Sequence, residues 1–453
     1  MNPLKDQVMA AQAEASQPLA DYGSESLPTP AIAVASIILS VGLVAIGNGL
    51  MFAFIPLRLA AEGFSPTWAG AILTALAAGG MVGCFMTGHM VRRVGHARVF
   101  MTLTAIVILS NAFIGMMTEP YLWLGSRVLY GFAMNGLFIV AQSWLNDVLE
   151  NNIRGRVMAI FYVTYVVALG LGSFSLRFID IATNAAPMIG VVFAAVSIIP
   201  VGLTRLRPPP PPETASIALK LAWQVSPVGV AGMLAVGGLS MMVAGFAPIH
   251  ATAAGLSQQD VALLMFAMPV GTILIQIPAG WISDRMDRRY VLVASSLLVI
   301  VGGILATRVD GGALIWMLAV YMIWSGATEA IYSISSAHAG DRAHKGDLVA
   351  LSSTMLFAWS LSGFLIPGGT TLLTAVFGTE AFMYVAIVVA VAFCAFVLWR
   401  IRLAEAPASE ETTDFAPLPA QAPLPAELAF YPDETAEEPE RTDESDETPA
   451  GVS

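Results

Sequence analysis

Two ionisable side chains lie inside long apolar stretches, where charge is costly and therefore informative. Arg127 opens the run Arg127-Val128-Leu129-Tyr130-Gly131, and Glu329 lies between Trp324 and Tyr332. A charged side chain at the centre of a bilayer costs about 3 kcal/mol or more, so such residues are functional candidates by default. A carboxyl among apolar and aromatic neighbours resists ionisation, which suits Glu329 to take up and release a proton. The alternative for Glu329 is a structural carboxyl hydrogen-bonded to neighbouring helices. Arg127 lies ~9 Å inward from Tyr121 at a rise of ~1.5 Å per residue. That is shallow enough to snorkel to the nearer surface, and this alternative stays open beside a functional one.

These residues need a membrane around them, and the composition supplies one. Of 453 residues, 57% are hydrophobic and only 12% charged, about half the charge of an average soluble domain. Mean hydropathy is +0.74. A water-soluble surface of this size needs more ionic side chains, so an ordinary soluble enzyme is excluded. Twelve stretches reach the ~20 apolar residues that a helix needs to cross a bilayer. They fall near 31–57, 66–91, 99–118, 121–145, 157–179, 186–204, 227–250, 259–282, 290–307, 313–335, 349–373 and 380–400. With a cytoplasmic N-terminus, 15 Lys and Arg residues fall at inner ends and 3, Arg58, Arg177 and Arg308, at outer ends. The excess of basic residues on one side predicts both termini in the cytoplasm.

The net charge of −11 belongs to the tails. Between Leu403 and Ser453 there are 14 acids and one base, Arg441. A basic patch for nucleic acid is absent. The divisions read as a cytoplasmic tail (1–30), a six-helix bundle (31–204), a central linker (205–226), a second six-helix bundle (227–402) and an acidic tail (403–453) expected to be disordered. Pro208 to Pro212 make the linker stiff, and Ala218 to Trp223 fits a short interfacial helix. Cys84 and Cys394 read as small buried hydrophobes. No histidine spacing points to a metal, and no P-loop, serine elbow or HExxH helix is present, so no cofactor and no enzyme activity are expected.

One loop occurs twice. Gly88-His89-Met90-Val91-Arg92-Arg93 follows the second segment, and Gly280-Trp281-Ile282-Ser283-Asp284-Arg285 follows the eighth, an offset of 192 residues. Fixed-offset similarity indicates two related halves. Two six-helix halves carrying this loop resemble the major facilitator superfamily, whose pattern there is G-x-x-x-D-R-x-G-R-R. Gln142-Ser143-Trp144-Leu145-Asn146, Gly95 to Phe100 and Tyr332 to Asp341 are similar to the bacterial YcaD-like branch, which would carry Glu rather than Gln142. The resemblance implies an all-α integral membrane protein with twelve transmembrane helices in two bundles. It implies a secondary transporter of a small solute in the bacterial cytoplasmic (inner) membrane, driven by a proton gradient, working as a monomer. It also implies an inner gate at Gly88, Arg93, Gly280, Asp284 and Arg285, with glycines permitting close approach and Asp284 facing a helix N-terminus across the interface. Because Arg92 stands where the pattern has Asp, that latch is expected mainly in the C-terminal half. Arg127 matches the superfamily's R-x-x-x-G element, linked there to proton or substrate coupling, and is expected to balance charge or attract an anionic group.

In such a protein the uncharged polar groups at depth become candidates for a central cavity: Asn48, Asn135, Gln142 and Gln276, with Trp324 as part of an aromatic wall beside Tyr162, Tyr165 and Trp359. The alternative for these groups is hydrogen bonding between helices. Gly47-Asn48-Gly49 is expected to weaken the first helix. The offset carries Arg127 onto Ala319, about 15 Å along a helix from Glu329, so the two are not expected to pair. A different class stays open as well: a non-transporting sensor or assembly factor that docks partners through its acidic tail.

Overall fold

The computed structural model describes residues 30–149, 151–204, 217–308, 313–344 and 347–403. The readings placed on the N-terminal tail, on Pro208 to Pro212 and on the acidic C-terminal tail lie outside these residues. Within them the chain is helical, with no strand. The helices are α1 (Pro30–Ala61), α2 (Pro66–Val94), α3 (His96–Met116), α4 (Pro120–Val148), α5 (Asn151–Ser175), α6 (Ala185–Leu203), the short α7 (Leu219–Val225), α8 (Pro227–Ala253), α9 (Gln258–Ser283), α10 (Arg288–Ala306), α11 (Leu314–Gly340), α12 (Leu348–Phe377) and α13 (Ala381–Leu403). All but α7 are long and apolar enough to cross a membrane, which makes twelve among the described residues.

Local chemistry sets the ends. Pro66, Pro120 and Pro227 occupy first-turn positions, where a missing N–H costs nothing. Glu119 caps α4 by accepting from Leu122 N at 2.8 Å, which separates α3 from α4 with only a few residues between them. Gly95, with φ at 83°, lets α2 turn directly into α3.

Packing repeats in the two halves. Helix α2 lies along α4 as α9 lies along α11, and α1 lies along α5 as α8 lies along α12. Glycines make these approaches possible. A methyl group at Gly49 would collide with the Leu169 carbonyl, and one at Gly172 with the Ile46 carbonyl. The run Gly47-Asn48-Gly49 therefore does not weaken α1, which continues unbroken to Ala61. These glycines bring backbones together, a use that sequence spacing does not distinguish from a break. Gly88 shows the reverse: a methyl group there would meet nothing within 4 Å, so the close approach expected of it is absent.

The halves meet chiefly where α2 packs on α12 and α5 on α9. One end of the bundle carries Arg92, Arg93, Arg285, Arg288, Arg289, Arg400 and Arg402 at helix termini. At the opposite end, Gln258 Nε2 donates to the carbonyls of Leu176 (2.7 Å) and Ile179 (2.5 Å), and Phe174 packs on Phe266 with centroids 5.4 Å apart. Helix α7 is tied to the second half, with Ala218 N donating to Thr354 Oγ1 at 2.9 Å and Trp223 packing on Phe396.

Candidate functional site

A cavity of about 120 Å³ lies at mid-depth between the halves. Twelve lining residues come from α1, α2, α4 and α5, among them Asn48, Phe52, Met81, Tyr130, Asn135, Phe138 and Tyr165. Four come from the second half: Met241, Trp359, Ser360 and Gly363. None of the sixteen is an acid or a base.

A polar chain runs through this wall, with its charged ends outside the lining. The Arg127 guanidinium is 2% exposed and lies over the Tyr130 ring, 4.2 Å from its centroid. It turns inward, toward the next turn of α4, rather than snorkelling to the nearer surface. Its Nε and Nη2 have no hydrogen-bond partner among the described residues. Tyr130 donates from its hydroxyl to Asn48 Oδ1 at 3.0 Å, and Asn48 also reaches the Tyr165 hydroxyl. Tyr162 and Tyr165 both lie within electrostatic reach of Glu329. Across the interface, near the middle of α11, Glu329 Oε1 accepts from Ser240 Oγ at 2.6 Å. Arg127 and Glu329 therefore do not pair, yet they stand at the two ends of one chain of phenols and an amide.

Two links join the halves on the arginine-rich side of the cavity. Tyr162 donates to Gln276 Oε1 at 2.5 Å, and Gln276 Nε2 donates in turn to Ser333 Oγ. Cys84 Sγ lies 3.5 Å from Ser360 Oγ, and Asn135 Nδ2 donates to the same sulfur at 3.7 Å. Cys84, expected to be a plain hydrophobe, is thus a polar neighbour of the cavity.

The sequence candidates fall in different places. Asn48 and Asn135 line the cavity. Gln276 is buried beside it in the Tyr162 link, outside the lining. Gln142 is 3% exposed, its Nε2 has no hydrogen-bond partner among the described residues, and it is not among the lining residues. Trp324 lies in the interior of the second half, stacked on Phe382 at 5.7 Å, away from the cavity wall. Within the repeated loop, Arg93 is exposed, Gly280 is buried, and Arg285 folds its guanidinium over Trp281, 3.8 Å from the ring centroid. Asp284 is 3.4 Å from Arg288 of its own half, whereas Arg288 Nε donates to Asp341 Oδ2 at 2.7 Å with both side chains at most 3% exposed. The stronger partner of that arginine is thus Asp341. Just past α11, burial, with Arg289 beside it, pulls the Arg342 guanidinium below its ordinary range.

Tyr130, Ser240 and Ser360 carry parts of this site that the sequence reading passed over. A signal for Ser240 existed: the offset of 192 carries Asn48 onto Ser240 and Cys84 onto Gln276. Each pair occupies equivalent positions in the two halves.

Two bundles of six spanning helices around a shared mid-depth cavity define a membrane transport protein. The family model for the Major Facilitator Superfamily matches residues 37–228 and 228–431, and the chain belongs to that superfamily. It is 24% identical over 335 residues to the uncharacterized MFS-type transporter YcaD of Escherichia coli (strain SE11), covering 73% of this chain and 86% of that protein. The figures are the same for YcaD of Shigella sonnei (strain Ss046). Among solved structures, the D-xylose–proton symporter superimposes with a TM-score of 0.64 at 12% identity, covering 84% of this chain and 99% of that one. The nucleoside transporter NupG superimposes with a TM-score of 0.62 at 12% identity, covering 81% and 98%. The chain is a transporter, not an enzyme.

Proposed function

We propose that the chain moves a small solute by secondary active transport, with the halves rocking about the central cavity and Glu329 carrying the coupling proton. The observation that carries this reading is the setting of Glu329. Its carboxyl is held by Ser240 of its own half and faces Tyr162 and Tyr165 of the other half. Gain or loss of one proton there changes what the carboxyl offers to hydroxyls on both sides of the interface. Protonation is thereby linked to how the halves sit against each other. Arg127 supplies the balancing positive charge at the far end of the phenol chain, and the D-xylose–proton symporter shares the fold.

In this reading Asn48 and Asn135 contact the solute, while Gln142, Gln276 and Trp324 hold the helices that frame it. Gly88, Arg93, Gly280, Asp284 and Arg285 serve the gate at the arginine-rich end. That end faces the cytoplasm of a bacterial cell, by the charge bias of its loops, so both termini are cytoplasmic. The chain acts as a monomer, since each chain holds both halves of its own cavity.

The test is reconstitution of purified protein in liposomes under an imposed pH gradient, across a solute library. Wild type is expected to accumulate its solute and Glu329→Gln to lose accumulation while retaining exchange between equal proton concentrations. Undiminished accumulation by Glu329→Gln would remove the proton from this residue.

A further inference from the structure

We infer that the cavity takes an uncharged solute about the size of one aromatic ring, with a flat apolar face. This names the substrate class of the transport site and rests on the reading above. Charge comes first. No lining residue is an acid or a base, Arg127 lies behind Tyr130, and Glu329 is engaged by Ser240 outside the lining. An ionic solute would enter a buried space with no countercharge in its wall, which is strongly unfavourable.

Size and shape come next. An apolar protein cavity of roughly 150 Å³ holds a benzene-sized molecule, and this one is about 120 Å³. Phe52, Phe138 and Trp359 present rings to it, and Met81, Met134 and Met241 fill between them. Rings favour a flat apolar face, and thioethers adapt to its outline. A solute bristling with hydroxyls would find few partners here.

Polar demand comes last. Trp359 is 3% exposed and lines the cavity, but its Nε1, without a partner among the described residues, is sealed from the open space, so this residue offers the solute a ring and not a donor. The other polar side chains of the wall are already engaged: Tyr130 and Tyr165 with Asn48, and Asn135 and Ser360 with Cys84.

Three probes of one ring test this: nicotinamide (neutral), nicotinate (anionic) and 1-methylnicotinamide (cationic), added to the full chain in nanodiscs and followed by thermal unfolding and tryptophan fluorescence. Saturable stabilisation by millimolar nicotinamide is expected, with at least tenfold weaker binding of the two ions. Trp359→Ala, which removes a ring from the wall, should weaken nicotinamide at least tenfold. Ala77→Leu, which narrows the cavity from α2, should abolish the response while unfolding as cooperatively as wild type, and it decides the matter should Trp359→Ala not fold. Absence of a nicotinamide response, equal or tighter binding of either ion, or indifference to both substitutions would overturn the inference. Gradient-driven accumulation of an ionic solute, lost in Glu329→Gln, would overturn it too while leaving proton-coupled transport intact. Nicotinamide binding by a protein that moves no solute under any gradient would uphold the cavity chemistry and defeat the transport reading.

Discussion

Arg127 holds a full positive charge in a place where it finds a ring face and no anion. A guanidinium over a desolvated tyrosine gains about 2 kcal/mol, which does not offset the burial of a charge with two nitrogens unpartnered. Replacing such a group with an apolar one of similar volume is often neutral or stabilising by about 1–4 kcal/mol. Arg127→Met is therefore expected to raise the unfolding temperature in detergent while abolishing gradient-driven transport. A lower unfolding temperature would make Arg127 a structural anchor. The arginine and the glutamate were legible in the sequence because charge inside an apolar run needs no geometry to be noticed. Their connection was not, because Tyr130, Asn48 and Tyr165 sit on three helices and look like ordinary packing residues until those helices are brought together. Trp324 and Trp359 show the same limit from the other side. Both are tryptophans within apolar runs, and only their helix faces decide that one meets Phe382 and the other the cavity.

At the scale of the helix, glycine marks where backbones touch. Gly172→Ala drives a methyl group into the Ile46 carbonyl of α1, and helices packed this closely yield only by separating. A loss of about 1–3 kcal/mol, the usual cost of overpacking, is expected as a lower unfolding temperature, whereas Gly88→Ala should leave it unchanged. Equal effects would mean that the close approaches do not hold the bundle. The ion pairs rank in the same way. Asp341→Asn strips a buried partner from Arg288 and should cost roughly 3–5 kcal/mol, while Asp284→Asn, at a longer and more exposed contact, should cost much less. Unfolding of both variants in urea checks the order. The twelve spans themselves were readable to within a few residues, since length and apolarity alone define them. Helix ends such as that of α11, which runs on to Gly340, follow packing against neighbours that hydropathy does not report.

For the whole molecule, the tie that Gln258 makes to Leu176 and Ile179 closes the end opposite the arginines. Gln258→Ala leaves both carbonyls available and is expected to favour opening at that end. In a chain lacking Cys84 and Cys394, a Leu76→Cys probe in the cavity wall should react several-fold faster with an impermeant thiol reagent applied from that side. Unchanged labelling would show that apolar packing such as Phe174 on Phe266 keeps that end shut alone.

The cavity wall is also lopsided, twelve residues from the first half against four from the second. When two such bodies rock, whatever sits between them travels with the one that grips it more. In the proposed transport cycle the first half is then a cradle and the second a shutter that sweeps past it. The passenger stays nearly still in the cradle's frame and is uncovered first on one side and then on the other. In that proposed cycle, changes to the cradle weigh most on what is carried, with Trp359 as the shutter's own share in that choice.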